Sequence, residues 1–177
     1  FNLNFQKFEN SMDISFPPGL HVIYGESGSG KSQFIYSLSG LKDEQESNFT
    51  FTNLVIPRSF QIVFQNPENQ ILSYTLESEL AFASECQTIH SQDLQEKLAL
   101  LKSDLPFINN WDRHPETLSG GQMEMLNLVT AFSTKPRLVF IDDGLSFLND
   151  ESKKNSVNWI RNKTSRGKIV LWFTSDP

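Results

Sequence analysis

A glycine-rich stretch, GESGSGKS at Gly25 to Ser32, constrains the fold of this chain more than any other feature. It follows a compact apolar run, LHVIY, that is typical of a buried strand, and a helix is expected after it. The stretch satisfies the pattern G-x-x-x-x-G-K-[ST], in which glycines let successive backbone N–H groups converge on phosphate. We therefore expect a phosphate-binding loop between a strand and a helix.

The residue types of this loop suit ATP with Mg²⁺. Lys31 would bring a mobile positive charge near the β- and γ-phosphates, and Ser32 would offer its hydroxyl to Mg²⁺. The alternative is a chance glycine turn, but the strand before the loop and the helix after it argue against that interpretation. The predicted ATP-binding residues are the whole loop: Gly25, Glu26, Ser27, Gly28, Ser29, Gly30, Lys31 and Ser32.

The composition limits the range of functions. With 177 residues, 38% of them hydrophobic, the chain can bury a core. The formal charge of −6 and the lack of a basic run argue against a nucleic-acid binder, so any anion site must be local. The single cysteine cannot form an internal disulfide, and no apolar stretch approaches the ~20 residues that span a bilayer. We expect a cytosolic location, with any membrane span supplied by another chain.

Strand and helix patterns alternate along most of the chain. Strands are predicted at LHVIY, FTFTNLVI, FQIVF, RLVFI and KIVLWF, and helices at QMEMLNLVTAF and SKKNSVNWIRNK. From 67 to 117, the segments TLESELAF and SQDLQEKLALL carry apolar residues at helical spacing. The predicted fold is α/β, with a mainly parallel sheet flanked by helices. It comprises an ATP-binding core lobe, 1–66 and 118–177, and a helical subdomain, 67–117.

A second glycine pair lies in LSGGQ, Leu118 to Gln122, directly before a predicted helix. Glycines at a helix start leave backbone donors free for an anion, and Ser119 adds a hydroxyl. Taken alone, the same sequence could be an ordinary capping turn. The phosphate loop earlier in the chain makes the anion-binding interpretation more telling.

In order and spacing, these motifs resemble the nucleotide-binding subunit of an ABC transporter. The chain carries a phosphate loop at 25–32, a glutamine loop at Gln65, the signature sequence LSGGQ at 118–122 and a Walker B strand, LVFID, that ends at Asp142. The segments VFQNPENQI and DRHPETLSGGQ are similar to those of energy-coupling factor importers, the cobalt and vitamin uptake systems. NPEN could instead be a simple polar turn before a helix.

The resemblance implies a P-loop NTPase core and a helical subdomain that work as a head-to-tail dimer. Each ATP would lie between the phosphate loop of one subunit and the signature sequence of the other. It further implies that Ser32, Gln65 and Asp142 serve Mg²⁺, and that Gln65 and Asp143 act on the attacking water. The signature residues offered to the partner's ATP are Ser119, Gly120, Gly121 and Gln122.

Several positions depart from the family pattern. Asp143 stands where the family carries a glutamate general base, and Ser175 replaces its switch histidine. Aspartate is one methylene shorter, so its oxygen could stop ~1 Å or more short of its position beside the water, which would lower the rate by orders of magnitude. We therefore expect ATP binding with impaired hydrolysis. Further departures are Met125, Gly144, Leu145 and Asn149, the last replacing a carboxylate that spans the dimer interface in the family.

The resemblance also predicts partners and location. Because LSGGQ is intact while Asp143 and Ser175 are altered, we expect a heterodimer with a second, more typical ATPase chain. The dimer would sit peripherally on the cytoplasmic face of a membrane, where the stretch after Gln65 faces transmembrane subunits. Dimer closure on ATP would drive uptake of a small solute such as a vitamin or a metal ion.

Two other functions stay open from sequence alone. The chain could be a non-transport ABC module, an ATP-gated dimerisation or regulatory protein, or a decayed subunit without function. FQNPENQI favours transport. Phe8 could stack on adenine, as an aromatic residue does in the family, or could be one of the chain's 15 phenylalanines that fill the core.

Overall fold

The structure is a computed structural model that describes residues 2–7, 10–41, 49–52, 55–85, 91–164 and 167–176. Phe8, and with it the question of adenine stacking, lies outside the described residues. The strands are β1 Asn2–Lys7, β2 Asn10–Ser15, β3 Gly19–Tyr24, β4 Thr50–Thr52, β5 Phe60–Val63, β6 Leu138–Asp142 and β7 Ile169–Thr174. The α-helices are α1 Lys31–Ser39, α2 Leu76–Glu85, α3 Ser91–Ser103, α4 Gly120–Ser133 and α5 Asp150–Thr164. Short 3-10 helices span Pro67–Gln70 and Pro115–Thr117.

A four-stranded parallel sheet forms the centre of the fold. Its strand order is β3-β7-β6-β5. The strand that precedes the phosphate loop, β3, therefore pairs with β7, the last of the described strands in sequence order. The predicted α/β fold with a mainly parallel sheet is confirmed. A second, antiparallel sheet of order β2-β1-β4, which the sequence patterns do not predict, accompanies it.

The central strand β6 explains why the sheet is covered on both faces. Successive side chains of a strand point to opposite faces, and every residue of β6 is buried. Leu138 and Phe140 pack in the cluster that includes Ile35 of α1, whereas Val139 and Ile141 pack in the cluster that includes residues of α4 and α5. A continuous apolar run therefore buries both of its faces, as parallel strands do.

The helices between residues 67 and 117 pack on α4. Leu76 and Leu80 of α2, Leu98 of α3 and Leu126 of α4 share one buried cluster, and the predicted helices in this region are confirmed. The division into a core lobe, 1–66 and 118–177, and a helical subdomain, 67–117, stays a prediction. Among the helices in the described part of the chain, none is long and apolar enough to cross a membrane.

Candidate nucleotide site

The phosphate loop connects β3 directly to α1. Gly28 and Gly30 have φ angles of 79° and 94°, in the left-handed region that favours glycine. No side chain caps α1 at Gly30, so the first N–H groups of the helix point into the loop without a side-chain acceptor. The geometry is that of an anion site at a helix N-terminus, with the helix dipole favouring negative charge.

The loop closes tightly on itself. Lys31 donates from Nζ to the carbonyl oxygens of Gly25 at 2.7 Å and Glu26 at 3.1 Å. A Cβ on Gly25 would lie 2.7 Å from the Ser29 hydroxyl oxygen, so a larger residue there would require the Ser29 side chain to move. Lys31 therefore lies across the loop, and its flexible stem lets it turn from these carbonyls to a phosphate.

Ser32 and Asp142 meet across 110 residues of sequence. The Ser32 hydroxyl donates to Oδ1 of Asp142 at 2.9 Å. Asp142 is fully buried, and its Oδ2 has no hydrogen-bond partner among the residues that the structure describes. A hydroxyl beside a carboxylate oxygen in need of a partner fits a hard cation such as Mg²⁺, which takes oxygen ligands from one or two side chains and from phosphates.

The electrostatics of Asp142 agree with a site for a cation. Burial raises the pKa of Asp142 and the nearby Asp143 adds to the rise, while the hydrogen bond from Ser32 and the charge of Lys31 oppose it. A buried carboxylate of this kind is stabilised in its charged form by a bound positive charge. In the described ranges, no group of three or more His, Cys, Asp or Glu side chains is placed to hold a metal ion.

Gln65 and Asp143 lie at the same cavity. This cavity has a volume of about 250 Å³, and its lining includes Lys31, Ser32 and Asp142 as well. Nε2 of Gln65 approaches Oδ2 of Asp143 at 3.4 Å. The structure thus brings together, at one cavity, predicted site residues from the loop after β3, the start of α1, the segment after β5 and the end of β6.

Asp143 and Ser175, the two positions predicted to depart from the family pattern, contact each other. Oδ1 of Asp143 accepts from the Ser175 N–H at 2.9 Å, and the Ser175 hydroxyl lies 3.0 Å from Oδ1 and 2.9 Å from Oδ2. Asp143 has a φ of 48°, a left-handed conformation that aspartate tolerates better than glutamate. Sequence reasoning treated these as two separate losses, whereas the fold joins them at the ends of β6 and β7.

The signature residues stand apart from this cavity, at the start of α4. Ser119 is the N-cap: its hydroxyl accepts from the Gln122 N–H at 3.4 Å, and its own N–H donates to Oε1 of Gln122 at 3.1 Å. Neither of these residues lines the cavity of the phosphate loop. The capping-turn alternative and the anion-binding interpretation are compatible, because a capping box leaves other N–H groups at the helix start.

The two glycines of the signature sequence lie against the side chains of Phe147 and Leu148. A Cβ on Gly120 would lie 3.0 Å from the ring of Phe147, and a Cβ on Gly121 would lie 2.7 Å from Cδ2 of Leu148. The loop after β6, residues 143–149, therefore packs directly on the first turn of α4. Sequence reasoning did not anticipate this contact.

The other departures near Asp143 have local structural roles. A Cβ on Gly144 would meet Cγ2 of Ile141 at 2.8 Å, and Leu145 is buried with a φ of 71°. Asn149 accepts from the Ser152 N–H at 2.8 Å, which caps the start of α5. Its side chain is therefore engaged within its own chain in this structure. Met125 accepts a contact from the Ser156 hydroxyl at 3.0 Å, between α4 and α5.

Three buried polar residues in the helices escaped sequence reasoning. Glu79 accepts from the N–H groups of Leu72 and Ser73 at 2.9 and 2.8 Å. Glu124 and Asn127 are buried on α4, at 3% and 1% exposure. The sequence pattern that could have revealed Glu124 and Asn127 is their position inside the otherwise apolar run QMEMLNLVTAF. Charged and amide side chains are rarely buried unless they are paired or hydrogen-bonded.

A groove lies beside the stretch that follows Gln65. Its volume is about 480 Å³, and it is lined by Glu68, Ile71, Leu72, Ser73, Tyr74, His114, Glu116 and Met123. Leu72 and Tyr74 are 68% and 84% exposed, so two large apolar or aromatic side chains face solvent at this groove. His114 caps the 3-10 helix that precedes the signature sequence, because its Nδ1 accepts from the Glu116 N–H at 3.2 Å.

Comparison with solved structures supports the fold. The structure of cbiO1 from Clostridium perfringens, described as part of the ABC transporter complex cbiONQ, superposes with a TM-score of 0.76 at 19% identity. The superposition covers 98% of this chain and 76% of that one. At this identity the likeness bears on the fold alone, and it confirms the P-loop NTPase architecture.

Comparison of sequences gives the family. The chain is 31% identical to the energy-coupling factor transporter ATP-binding protein EcfA1 of Latilactobacillus sakei, over 94% of this chain and 63% of that protein. It is 28% identical to the protein of the same name from Mycoplasma mobile, over 94% of this chain and 65% of that protein. The chain thus spans less than two thirds of the length of these relatives. The sequence model of the ABC transporter family matches residues 10–146, and the chain therefore belongs to that family.

Proposed function

We propose that this chain is the ATP-binding part of an energy-coupling-factor-type importer, in which ATP-driven dimer closure powers uptake of a small solute such as a vitamin or a metal ion. The observation that carries the proposal is the convergence of Lys31, Ser32, Asp142 and Gln65 on one cavity beside a helix N-terminus. The names of the relatives favour this class of importer.

The residues of the phosphate loop have distinct roles in this proposal. The N–H groups at the start of α1 and the ammonium group of Lys31 bind the phosphates. Ser32, Asp142 and Gln65 would hold Mg²⁺, which would neutralise phosphate charge when bound. Asp142 receives its orientation from Ser32 through their 2.9 Å hydrogen bond.

Hydrolysis at this chain's own loop is proposed to be slow. Asp143 is the position from which a base would act, but its carboxylate already accepts hydrogen bonds from the N–H and hydroxyl of Ser175. Ser175 has no imidazole to contact the γ-phosphate. The site at this chain's own phosphate loop therefore binds ATP but hydrolyses it slowly.

Titration calorimetry with Mg-ATP tests the binding proposal. Lys31→Ala should weaken binding at least about tenfold, or about 1.4 kcal/mol, because it removes a charge-assisted contact. Lys154→Ala, which changes an exposed lysine of α5, is the matched control and should bind as the wild type does. Equal affinities in wild type and Lys31→Ala would refute the proposed site.

We further propose that the working unit is a heterodimer with a more typical ATPase chain. Ser119 is exposed at the start of α4, where it can face another subunit's ATP. Ser119→Arg should abolish ATP hydrolysis by the assembled complex, even though this chain's own loop does little chemistry. Undiminished turnover, or a native complex with only this ATPase, would contradict the heterodimer.

The partner at the membrane is proposed to be a transmembrane subunit docked in the groove of Leu72 and Tyr74, with the chain peripheral on the cytoplasmic face. The groove also carries Glu68 and Glu116, so a basic cytoplasmic segment with an apolar tip would complement it.

The rival function is an ATP-gated regulatory module without membrane subunits. Leu72→Asp should prevent co-purification with membrane chains while Mg-ATP affinity stays unchanged, and purification of the wild type without any membrane chain would favour the rival.

A further inference from the structure

Glu124 is a buried carboxylate for which the proposed function has no use. It lies on α4 at 3% exposure, and none of the ion pairs found in the described residues includes it. Burial raises the pKa of Glu124, and hydrogen bonds from residues 145–147 oppose the rise. A buried carboxylate is costly unless it is hydrogen-bonded, so its bonds indicate its role.

Those bonds lead to the loop after β6. Oε2 of Glu124 accepts from the Phe147 N–H at 3.2 Å, and Oε1 lies 3.4 Å from the Ser146 hydroxyl. The loop begins at Asp143 and contains two left-handed residues, Asp143 and Leu145, with φ of 48° and 71°. Such conformations persist only where the surroundings hold them, and Glu124 supplies part of that restraint.

The same loop is held sterically by the signature glycines. Gly120 and Gly121 leave so little room that a Cβ on either would touch Phe147 or Leu148 at 3.0 or 2.7 Å. The polar contacts of Glu124 and these apolar contacts join the same two segments. The first turn of α4 and the loop carrying Asp143 are therefore packed as one unit.

A second buried residue extends this unit to Gln65. Asn127, one turn further along α4, donates from Nδ2 to the Pro67 carbonyl at 2.7 Å. Pro67 is two residues after Gln65, which itself approaches Asp143 at 3.4 Å. One helix, α4, thus carries the signature turn at its start. It also forms hydrogen bonds with the two segments that bring Gln65 and Asp143 to the cavity of the phosphate loop.

We propose that Glu124 is a positioning residue that fixes the signature turn relative to the loop carrying Asp143, so that a change at the chain's own site is passed to the signature offered to the partner's ATP. The first half of this proposal is a statement about the isolated chain. The second half rests on the proposed function, and the two are tested separately.

Hydrogen exchange of the isolated, nucleotide-free chain, resolved by segment, tests the first half. Glu124→Met fills a similar volume without an acceptor, and it should speed exchange about tenfold in both 144–149 and 120–124. Glu124→Gln keeps one acceptor for the Phe147 N–H and should restore slow exchange. If Glu124→Met does not fold, Ser146→Ala removes one donor and should give a smaller change in the same two segments.

The chain offers a matched control in Glu79. It is equally buried, at 3% exposure, and it accepts hydrogen bonds from the N–H groups of Leu72 and Ser73, which lie outside the loop after β6. Glu79→Met should therefore loosen 71–74 and leave 144–149 and 120–124 as in the wild type. Faster exchange in only one of the two Glu124 segments, or the same changes in Glu79→Met, would overturn the positioning role.

ATP turnover by the assembled complex tests the second half. Glu124→Met should lower kcat about tenfold or more, because the signature is displaced from the partner's ATP, while Mg-ATP affinity of the isolated chain stays within about twofold. Glu124→Gln should recover kcat. Full kcat in Glu124→Met would overturn this second half of the proposal. Absence of Mg-ATP binding in the wild type would instead refute the proposed function, and it would not affect the conclusion from hydrogen exchange.

Discussion

The contact between Asp143 and Ser175 predicts a measurable contribution to folding stability. Ser175→Ala removes the hydroxyl that lies 2.9 and 3.0 Å from the two carboxylate oxygens, but it keeps the 2.9 Å bond from the Ser175 N–H. One hydroxyl proton makes one hydrogen bond at a time, so a single charge-assisted bond is lost. Such bonds contribute about 1.5–3 kcal/mol when they are buried.

The expected loss is smaller because both residues are half-buried and water can replace the hydroxyl. We expect Ser175→Ala to lower the free energy of unfolding by about 1 kcal/mol. For a chain of this size, that corresponds to a fall in Tm of about 2–4 °C. Ser103→Ala, at an exposed serine of α3 that bonds only the Leu100 carbonyl in the described residues, should change Tm much less.

A double-mutant cycle isolates the interaction from other effects. Asp143→Ala places alanine at a φ of 48°, which adds strain, but that strain is present with and without Ser175 and cancels in the cycle. In the Asp143→Ala background, Ser175→Ala should cost almost nothing, which gives a coupling of about 1 kcal/mol. Urea unfolding of the four proteins measures it. Additivity within about 0.3 kcal/mol would refute the claim that Asp143 and Ser175 interact.

Three further predictions follow from the same region. Gly121→Ala should lower the free energy of unfolding by about 1–3 kcal/mol in urea unfolding, because its Cβ would lie 2.7 Å from Cδ2 of Leu148; wild-type stability would count against this packing. Asp143→Glu with Ser175→His should raise ATP turnover about tenfold or more if missing groups limit the rate, and no gain would mean that the loop itself limits it. Because burial raises the pKa of Glu124, its contribution to stability is present below the usual value of 4.5 and is lost as pH rises through the raised pKa. Wild type should therefore lose stability relative to Glu124→Gln over that pH window, and a constant difference would contradict it.

The sequence by itself determined the local parts of this site. Gly25 to Ser32 forms a phosphate loop between a strand and a helix, and Ser119 caps a helix, because glycine conformations and capping bonds depend on a few adjacent residues. The burial of β6 on both faces is equally local in origin, since a continuous apolar run of strand length predicts a strand that is covered on both faces. The strands of the parallel sheet and the α-helices of the described residues were predictable for this reason.

Only the tertiary structure decided which distant residues meet. The order β3-β7-β6-β5 places the end of β7 between the ends of β3 and β6, so that Ser175 reaches Asp143 although 32 residues separate them. Strand hydropathy carries no information on that order, because every strand of a buried sheet is apolar. Likewise, a glutamate in a helix is usually exposed, and Glu124 is buried because the loop after β6 brings N–H and hydroxyl donors to it. Contacts between segments far apart in sequence depend on how the sheet is assembled, and a pattern within one segment does not contain them.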